Sequence, residues 1–214
     1  MSCLLIFVKF NDKVNAIMQS KKQGYLDFFK TVGKSKRLPR TGWVREKIKN
    51  PESIAEHSFR VGVLAMVLAD KLLINKEKLM KMALIHDLGE TSTGDIVWTR
   101  GELVDIKTRE IKEKEELRSL IRLFSDIEDG EKFIKIFEEM INSSTKDAKI
   151  FWQIDKLEMA LQAFEYEEEQ GVLLEEFFLN ADLFIKDKIL RDIFEEILNQ
   201  RPNLKGRIQN YESS

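Results

Sequence analysis

Residues 50–68 read NPESIAEHSFRVGVLAMVL, and this stretch decides the fold class. Asn50 followed by Pro51 is typical of a helix start, because the first residue caps the helix and proline suits its first turn. An inner stripe then recurs at intervals of three and four residues, which is the pattern of an amphipathic α-helix. That stripe comprises Ile54, His57, Val61, Leu64 and Leu68. The sequence therefore predicts a helix that begins near Asn50 and carries a histidine on its inward face.

The same periodicity extends over most of the chain on both sides of this stretch. Asn75 is expected to cap the next helix, and Ser144 with Asp147 three residues later resembles a capping box. Two glycines interrupt the pattern and predict a loop over 89–101. The helices predicted in this way cover about 20–32, 50–68, 75–86, 105–124, 128–142, 144–169 and 182–199.

The sequence contains no alternating strand pattern, internal repeat or linker. We therefore expect an all-α single domain, a bundle of about six to eight helices. The 214 residues are enough to bury a substantial core, and the low content of 3 prolines favours long helices. The core is expected over 18–205, with 1–17 as an N-terminal extension and 206–214 as a C-terminal tail.

Composition excludes several classes of protein. The formal net charge of −2 gives no general reason to expect nucleic acid or an anionic membrane as a partner. The single cysteine, Cys3, excludes an internal disulfide framework and fits a reducing compartment. No apolar stretch approaches the roughly 20 residues that a membrane span needs. We therefore expect a cytoplasmic protein that binds neither nucleic acid nor membrane.

The chain has two histidines, and both fall on apolar helix faces. A histidine in such a place is more often a hydrogen-bonded core residue than a metal ligand. Here, however, His86 is followed at once by Asp87, and the helix is expected to end at Gly89. A nitrogen and a carboxylate therefore leave the same helix end together, beside a loop.

Asp155 interrupts the inner stripe of the long helix predicted over 144–169. A buried carboxylate without a partner costs several kcal/mol, so it must be paired, protonated or bound to a cation. The predicted inner stripes contain no lysine or arginine that could form a salt bridge. One divalent transition metal (Mn²⁺, Co²⁺, Fe²⁺, Ni²⁺ or Zn²⁺) would satisfy both histidines and both aspartates and leave positions for water and substrate. The candidate ligands are His57, His86, Asp87 and Asp155.

The order of these four residues resembles the H…HD…D signature of the HD-domain metal phosphohydrolases. Four further stretches resemble the 5′-deoxynucleotidase branch of that superfamily, and the likeness runs from about residue 22 to about residue 200. The stretches are RTGWV (40–44), PESIAEHS (51–58), ALIHDLGE (83–90) and TGDI (93–96).

The resemblance implies an enzyme that removes the 5′-phosphate of (deoxy)ribonucleoside 5′-monophosphates by means of metal-activated water. Glu90 matches the catalytic glutamate of the family, and Asp95 matches its partner acid. The resemblance also implies a homodimer. Because His57 and His86 leave no further histidine for a second metal, a mononuclear site and a monophosphate substrate fit best.

Substrate contacts are implied at fewer positions. Trp43 matches a tryptophan that packs near the deoxyribose in the family, although a tryptophan in such a place is more often a core aromatic. Bacterial deoxynucleotidases carry an arginine immediately before that tryptophan, where this chain has Gly42. Arg40 or Arg45 would supply the phosphate contact instead.

Two alternatives remain at this point. One is a pyrophosphohydrolase or triphosphohydrolase that acts on nucleotides. The other is a catalytically silent interaction module that keeps the metal only for folding. The presence of Glu90 and Asp95 argues against the silent module.

Overall fold

The computed structural model describes Gln19 and residues 21–93 and 106–201, with side chains over 21–91 and 114–201. These residues are helices and connecting loops, and the only β-type pairing among them is an isolated bridge between Pro39 and Ser53. The all-α prediction is confirmed. The predicted extension at 1–17 and the tail at 206–214 lie outside the described residues. None of the helices in the described ranges is long and apolar enough to cross a membrane.

The helices are numbered here in chain order. Helix α1 covers 21–32, and a 3₁₀ turn follows at Gly33–Arg37. The later helices are α2 (Thr41–Arg45), α3 (Ile54–Leu72), α4 (Lys76–Ile85), α5 (Glu90–Thr93), α6 (Ile106–Phe124), α7 (Gly130–Ile141), α8 (Lys146–Gln170), α9 (Glu175–Phe184) and α10 (Lys188–Gln200).

The start of α3 differs from the prediction. Ser53, not Asn50, caps the helix: its side chain accepts from the Glu56 backbone N–H, and the Glu56 carboxylate accepts from the Ser53 backbone N–H. This capping box satisfies two helix-end donors, and α3 begins at Ile54. Asn50 adopts a positive φ of 52° and lies in the preceding turn.

The predictions for the other helix ends were correct in part. Asn75 caps α4 as predicted, since its side chain accepts from the Lys78 backbone N–H. At the start of α8 the cap is Thr145 and not Ser144. The range predicted as one helix over 182–199 belongs to two helices, because α9 ends at Phe184 and Asp187 caps the start of α10.

Helix α8 is the central element of the bundle, and α3, α4, α7, α9 and α10 all pack against it. Its buried face carries apolar residues such as Phe151 and Ile154, but also Asp155 and Glu158. The start of α3 and the end of α4 meet the middle of α8, where His57 and His86 approach Asp155. The polar residues of the candidate site lie at this junction.

Candidate metal centre

The two histidines reach the same point from different helices. His57 lies in the first turn of α3, and His86 caps the C-terminal end of α4. Both are buried, and their Nε2 atoms lie 3.2 Å apart. The structure therefore brings together two imidazole nitrogens that are 29 residues apart in the chain.

Two carboxylates complete this cluster. The Oδ1 atom of Asp155 lies 3.0 Å from His57 Nε2 and 3.6 Å from His86 Nε2. The Oδ2 atom of Asp87 lies 3.2 Å from His86 Nε2 and 3.9 Å from His57 Nε2. Ligand atoms of His57, His86 and Asp155 all lie within 4.8 Å of one another, a grouping that could hold a metal ion.

The hydrogen bonds at the opposite ring nitrogens define the tautomers. His86 Nδ1 faces the Ala83 carbonyl oxygen at 2.9 Å, and because a carbonyl only accepts, this nitrogen carries the proton. His57 Nδ1 faces a carboxylate oxygen of Glu158 at 2.5 Å and donates in the same way. In the neutral rings both Nε2 atoms therefore carry a lone pair and no proton. Two lone pairs and two carboxylate oxygens converge with no proton between them.

This donor set fits a divalent metal. Metal bonds to imidazole nitrogen and carboxylate oxygen of about 2.0–2.2 Å place neighbouring ligand atoms about 3.0–3.6 Å apart. The observed separations of 3.0, 3.2, 3.2 and 3.6 Å lie in that range, and the 3.9 Å between His57 and Asp87 is longer. The tightest grouping comprises His57, His86 and Asp155, and Asp87 lies at its edge. Two nitrogen and two oxygen ligands suit a borderline transition metal.

The electrostatics of the cluster favour a cation even without a metal. Burial and the charge of Arg40 lower the pKa of the His57 imidazole, but Glu158 and Asp155 outweigh them and raise it to about 9. Burial alone would raise the pKa of Asp155, yet Lys156 and the two histidines hold it well below its usual value. A proton on His57 Nε2 therefore occupies the position that a metal would take.

The HD domain family matches residues 32–198 of the chain. This chain belongs to the HD domain family. It is similar to 5′-deoxynucleotidase HDDC2 of Danio rerio, with 38% identity over 161 residues that cover 73% of this chain and 78% of the relative. It is also similar to 5′-deoxynucleotidase hdd1 of Schizosaccharomyces pombe, with 33% identity over 186 residues that cover 85% and 92% of the two chains. Among solved structures, a conserved hypothetical protein from Pyrococcus furiosus superposes with a TM-score of 0.67 and 32% identity, over 81% of this chain and 99% of the other.

The carboxylates of this HD site have basic partners that the sequence analysis did not expect. Arg40 Nη1 donates to Asp87 Oδ2 at 2.9 Å, and Lys156 Nζ donates to Asp155 Oδ2 at 3.0 Å. The predicted inner stripes contain no lysine or arginine, but basic residues from outside them reach both aspartates. Arg40 precedes α2 and Lys156 lies beside Asp155 on α8, so neither belongs to a predicted inner stripe.

A second network lies behind the histidines. Trp43 donates its indole N–H to Glu52 Oε1 at 2.9 Å, and Arg40 Nε lies 3.7 Å from the same oxygen. Burial and the nearby Glu158 raise the pKa of Glu52 to about 7. Glu52, His57 and Glu158 also form a grouping that could hold a metal ion. Here, however, protein donors contact both glutamates, and the Nδ1 atom of His57 carries the proton that it donates to Glu158.

Trp43, Arg45 and Arg40 were the predicted substrate contacts, and they differ in burial and in their partners. Trp43 is only 1% exposed and stacks on Phe177, with ring centroids 4.2 Å apart. It is a core aromatic in this structure, and its contact with a deoxyribose stays a prediction. Arg45 pairs with Glu46 and Glu176, away from the histidines, whereas Arg40 touches the site through Asp87.

Glu90 begins α5 and is buried, and its backbone N–H donates to the Asp87 carbonyl oxygen at 3.1 Å. It thus lies one turn after the candidate ligand. Asp95 lies outside the described residues. The sequence analysis missed Glu158, although one signal was available: it shares a helix face with Asp155 and Gln162, at intervals of three and four.

We predict that metal binding competes with a proton. In the metal-free protein His57 is protonated below a pKa of about 9, and the metal requires its neutral form. Apparent affinity for Mn²⁺ should therefore fall about tenfold for each pH unit lost below that value, and binding near neutral pH should release about one proton. Titration calorimetry in two buffers of different ionisation enthalpy measures this release. A binding enthalpy that does not depend on the buffer would contradict the assignment.

Proposed function

We propose that this chain removes the 5′-phosphate of deoxyribonucleoside 5′-monophosphates with one divalent transition metal, and that ribonucleotides are weaker substrates. The observation that carries the proposal is the convergence of two imidazole nitrogens and two carboxylate oxygens beside a buried glutamate and a partly buried arginine. The proposed ligands are His57, His86, Asp87 and Asp155.

The relatives favour this substrate class over the alternatives. The HDDC2 proteins of Danio rerio and Homo sapiens and hdd1 of Schizosaccharomyces pombe all bear the name 5′-deoxynucleotidase. A pyrophosphohydrolase and a catalytically silent module are not favoured by these names. We also propose a homodimer and a cytoplasmic location, and we keep 18–205 as the extent of the HD domain.

Each proposed role follows from the chemistry of a side chain. A divalent metal, when bound, lowers the pKa of a water molecule and polarises a phosphoryl oxygen. Arg40 supplies positive charge: burial lowers its pKa, but Asp87 and the other carboxylates outweigh this and keep the guanidinium protonated. It can therefore bind a phosphate oxygen on the open side of Asp87. Glu90 either donates a proton to the leaving 5′-oxygen or accepts one from the attacking water, and Asp95 orients the water or the substrate.

A panel of phosphate esters tests the proposed function. The purified protein is incubated with deoxy- and ribonucleoside 5′-monophosphates, 3′-monophosphates and nucleoside triphosphates, with one metal at a time. We expect inorganic phosphate from the deoxyribonucleoside 5′-monophosphates in preference to the others. Pyrophosphate or triphosphate release would instead identify the pyrophosphohydrolase alternative. No release with any metal would leave only the silent module.

Glu90→Gln should lower kcat by about 100-fold or more, because general acid–base catalysis typically contributes 10²- to 10⁴-fold. Metal content should remain equal to that of the wild type, since the proposed ligands are unchanged. Glu77→Gln, on the exposed side of α4, is the matched control and should retain full activity. Full activity of Glu90→Gln at equal metal content would remove Glu90 from the mechanism.

The two candidate arginines are distinguished by a matched pair of variants. Arg40→Lys should raise KM by about tenfold or more, because an ammonium cannot replace the forked guanidinium at a phosphate. Arg45→Lys should change KM by less than about twofold, since Arg45 pairs with Glu46 and Glu176. Metal content is measured alongside, because Arg40 also contacts Asp87. An equal effect of the two substitutions on KM would argue against a phosphate contact by Arg40.

A further inference from the structure

His57 is held at both ring nitrogens by a single helix. Asp155 Oδ1 lies 3.0 Å from its Nε2 atom, and Glu158 Oε2 lies 2.5 Å from its Nδ1 atom. Asp155 and Glu158 are one turn apart on α8, so the imidazole of α3 fits between two carboxylates of the same face. The orientation of this ring therefore depends on how α3 docks on α8.

The other histidine has a different support. His86 Nδ1 faces the carbonyl oxygen of Ala83, three residues earlier on its own helix. That acceptor is part of the backbone of α4 and needs no second helix to hold it. The two imidazoles thus differ in kind, because only His57 relies on a side chain for the position of its Nδ1 proton.

Glu158 is itself fixed on the side away from His57. It is fully buried, and its Oε1 atom accepts from Arg60 Nε at 2.8 Å. Arg60 also donates to Gln162 Oε1 and to Glu165 Oε2. His57 and Arg60 are one turn apart on α3, and each contacts one carboxylate oxygen of Glu158. The contact with Arg60 therefore aligns Glu158 with the imidazole.

A carboxylate behind a ligating histidine has two effects on metal affinity. It fixes the ring in the orientation that presents Nε2, and it makes that nitrogen a stronger donor by accepting the Nδ1 proton. We propose that Glu158, anchored by Arg60, is a positioning residue that sets the metal affinity of this site by orienting His57. The proposal rests on the metal site of the proposed function, but it does not depend on which phosphate ester is the substrate.

A second metal at Glu52, His57 and Glu158 is the competing explanation for the buried glutamate. The three residues are close enough for one. However, Glu52 already accepts from Trp43, and Glu158 already accepts from Arg60. A metal there would also need a lone pair on His57 Nδ1. That nitrogen instead carries the proton that it donates to Glu158. We therefore assign this group to hydrogen bonding.

The chain offers a matched control on the same helix. Glu167 is also buried on α8, and its two carboxylate oxygens accept from Arg201 at 2.8 and 2.9 Å. It has the burial and the arginine partner of Glu158 but no contact with a histidine. Glu167→Gln therefore reports what the loss of a buried glutamate–arginine pair on α8 costs in stability alone.

The test compares metal binding in the full chain of the wild type, Glu158→Gln and Glu167→Gln, with no nucleotide present. Dissociation constants for Co²⁺ are measured by competition with a chromophoric chelator, together with the absorption spectrum of bound Co²⁺ and thermal midpoints with and without metal. We expect Glu158→Gln to weaken Co²⁺ binding by about 10- to 100-fold and to alter the spectrum. Glu167→Gln should leave both unchanged, whatever it does to the metal-free midpoint.

The other possible results of this experiment would each contradict a specific part of the proposal. An affinity of Glu158→Gln within twofold of the wild type, or equal losses in the two variants, overturns the positioning role. A stoichiometry of two metals in the wild type, with one lost in Glu158→Gln, assigns Glu158 to a second metal instead. No Co²⁺ binding by the wild type overturns the metal site and with it the proposed function. If Glu158→Gln does not fold, Arg60→Lys decides in the same assay, and an unchanged affinity there overturns the proposal.

Discussion

Four acceptor atoms face one another in the interior of this protein, where three helices meet. Two are imidazole nitrogens whose protons lie on the opposite side of the ring, and two are carboxylate oxygens. Such a cluster is unfavourable in a medium of low polarity unless a cation is present. Against the effect of burial, Glu158 and Asp155 together raise the pKa of the His57 imidazole to about 9, which favours a proton on this ring when no metal is bound.

The surroundings of the cluster follow from that demand. Among the described residues, Arg40, Arg60 and Lys156 each approach at least one of the carboxylates around the histidines. The carboxylates outnumber these cations, because Glu52 and Glu158 lie behind Asp87 and Asp155. Burial together with Glu158 raises the pKa of Glu52 to about 7 for this reason. The basic residues reduce the negative charge of the site without removing it, and a divalent metal would complete the balance.

Local signals account for most of the fold and for part of the site. Periodicity predicted the long helices, and Asn75 was the expected cap of α4 because its short side chain reaches the Lys78 backbone N–H. The capping box at Ser53 and the cap at Asp187 were not anticipated, although each is encoded within three residues of the helix end. The prediction failed at these places because several residues near a helix end are competent caps. Which one is used depends on the path of the preceding loop, here the bridge between Pro39 and Ser53.

The sequence by itself determined the all-α class, because helix periodicity is a local property. Its motifs carry the resemblance to the HD domain family and single out the four residues proposed as ligands. It could not determine the partners of those residues. Arg40 lies 47 positions from Asp87, and Glu158 lies 101 positions from His57. Pairs so distant meet only when α3, α4 and α8 dock, and no local pattern encodes that docking geometry. Tertiary structure alone decided that Arg40 reaches Asp87 while Arg45 pairs with Glu46 and Glu176, that Trp43 packs in the core, and that His57 is held between two carboxylates of one helix.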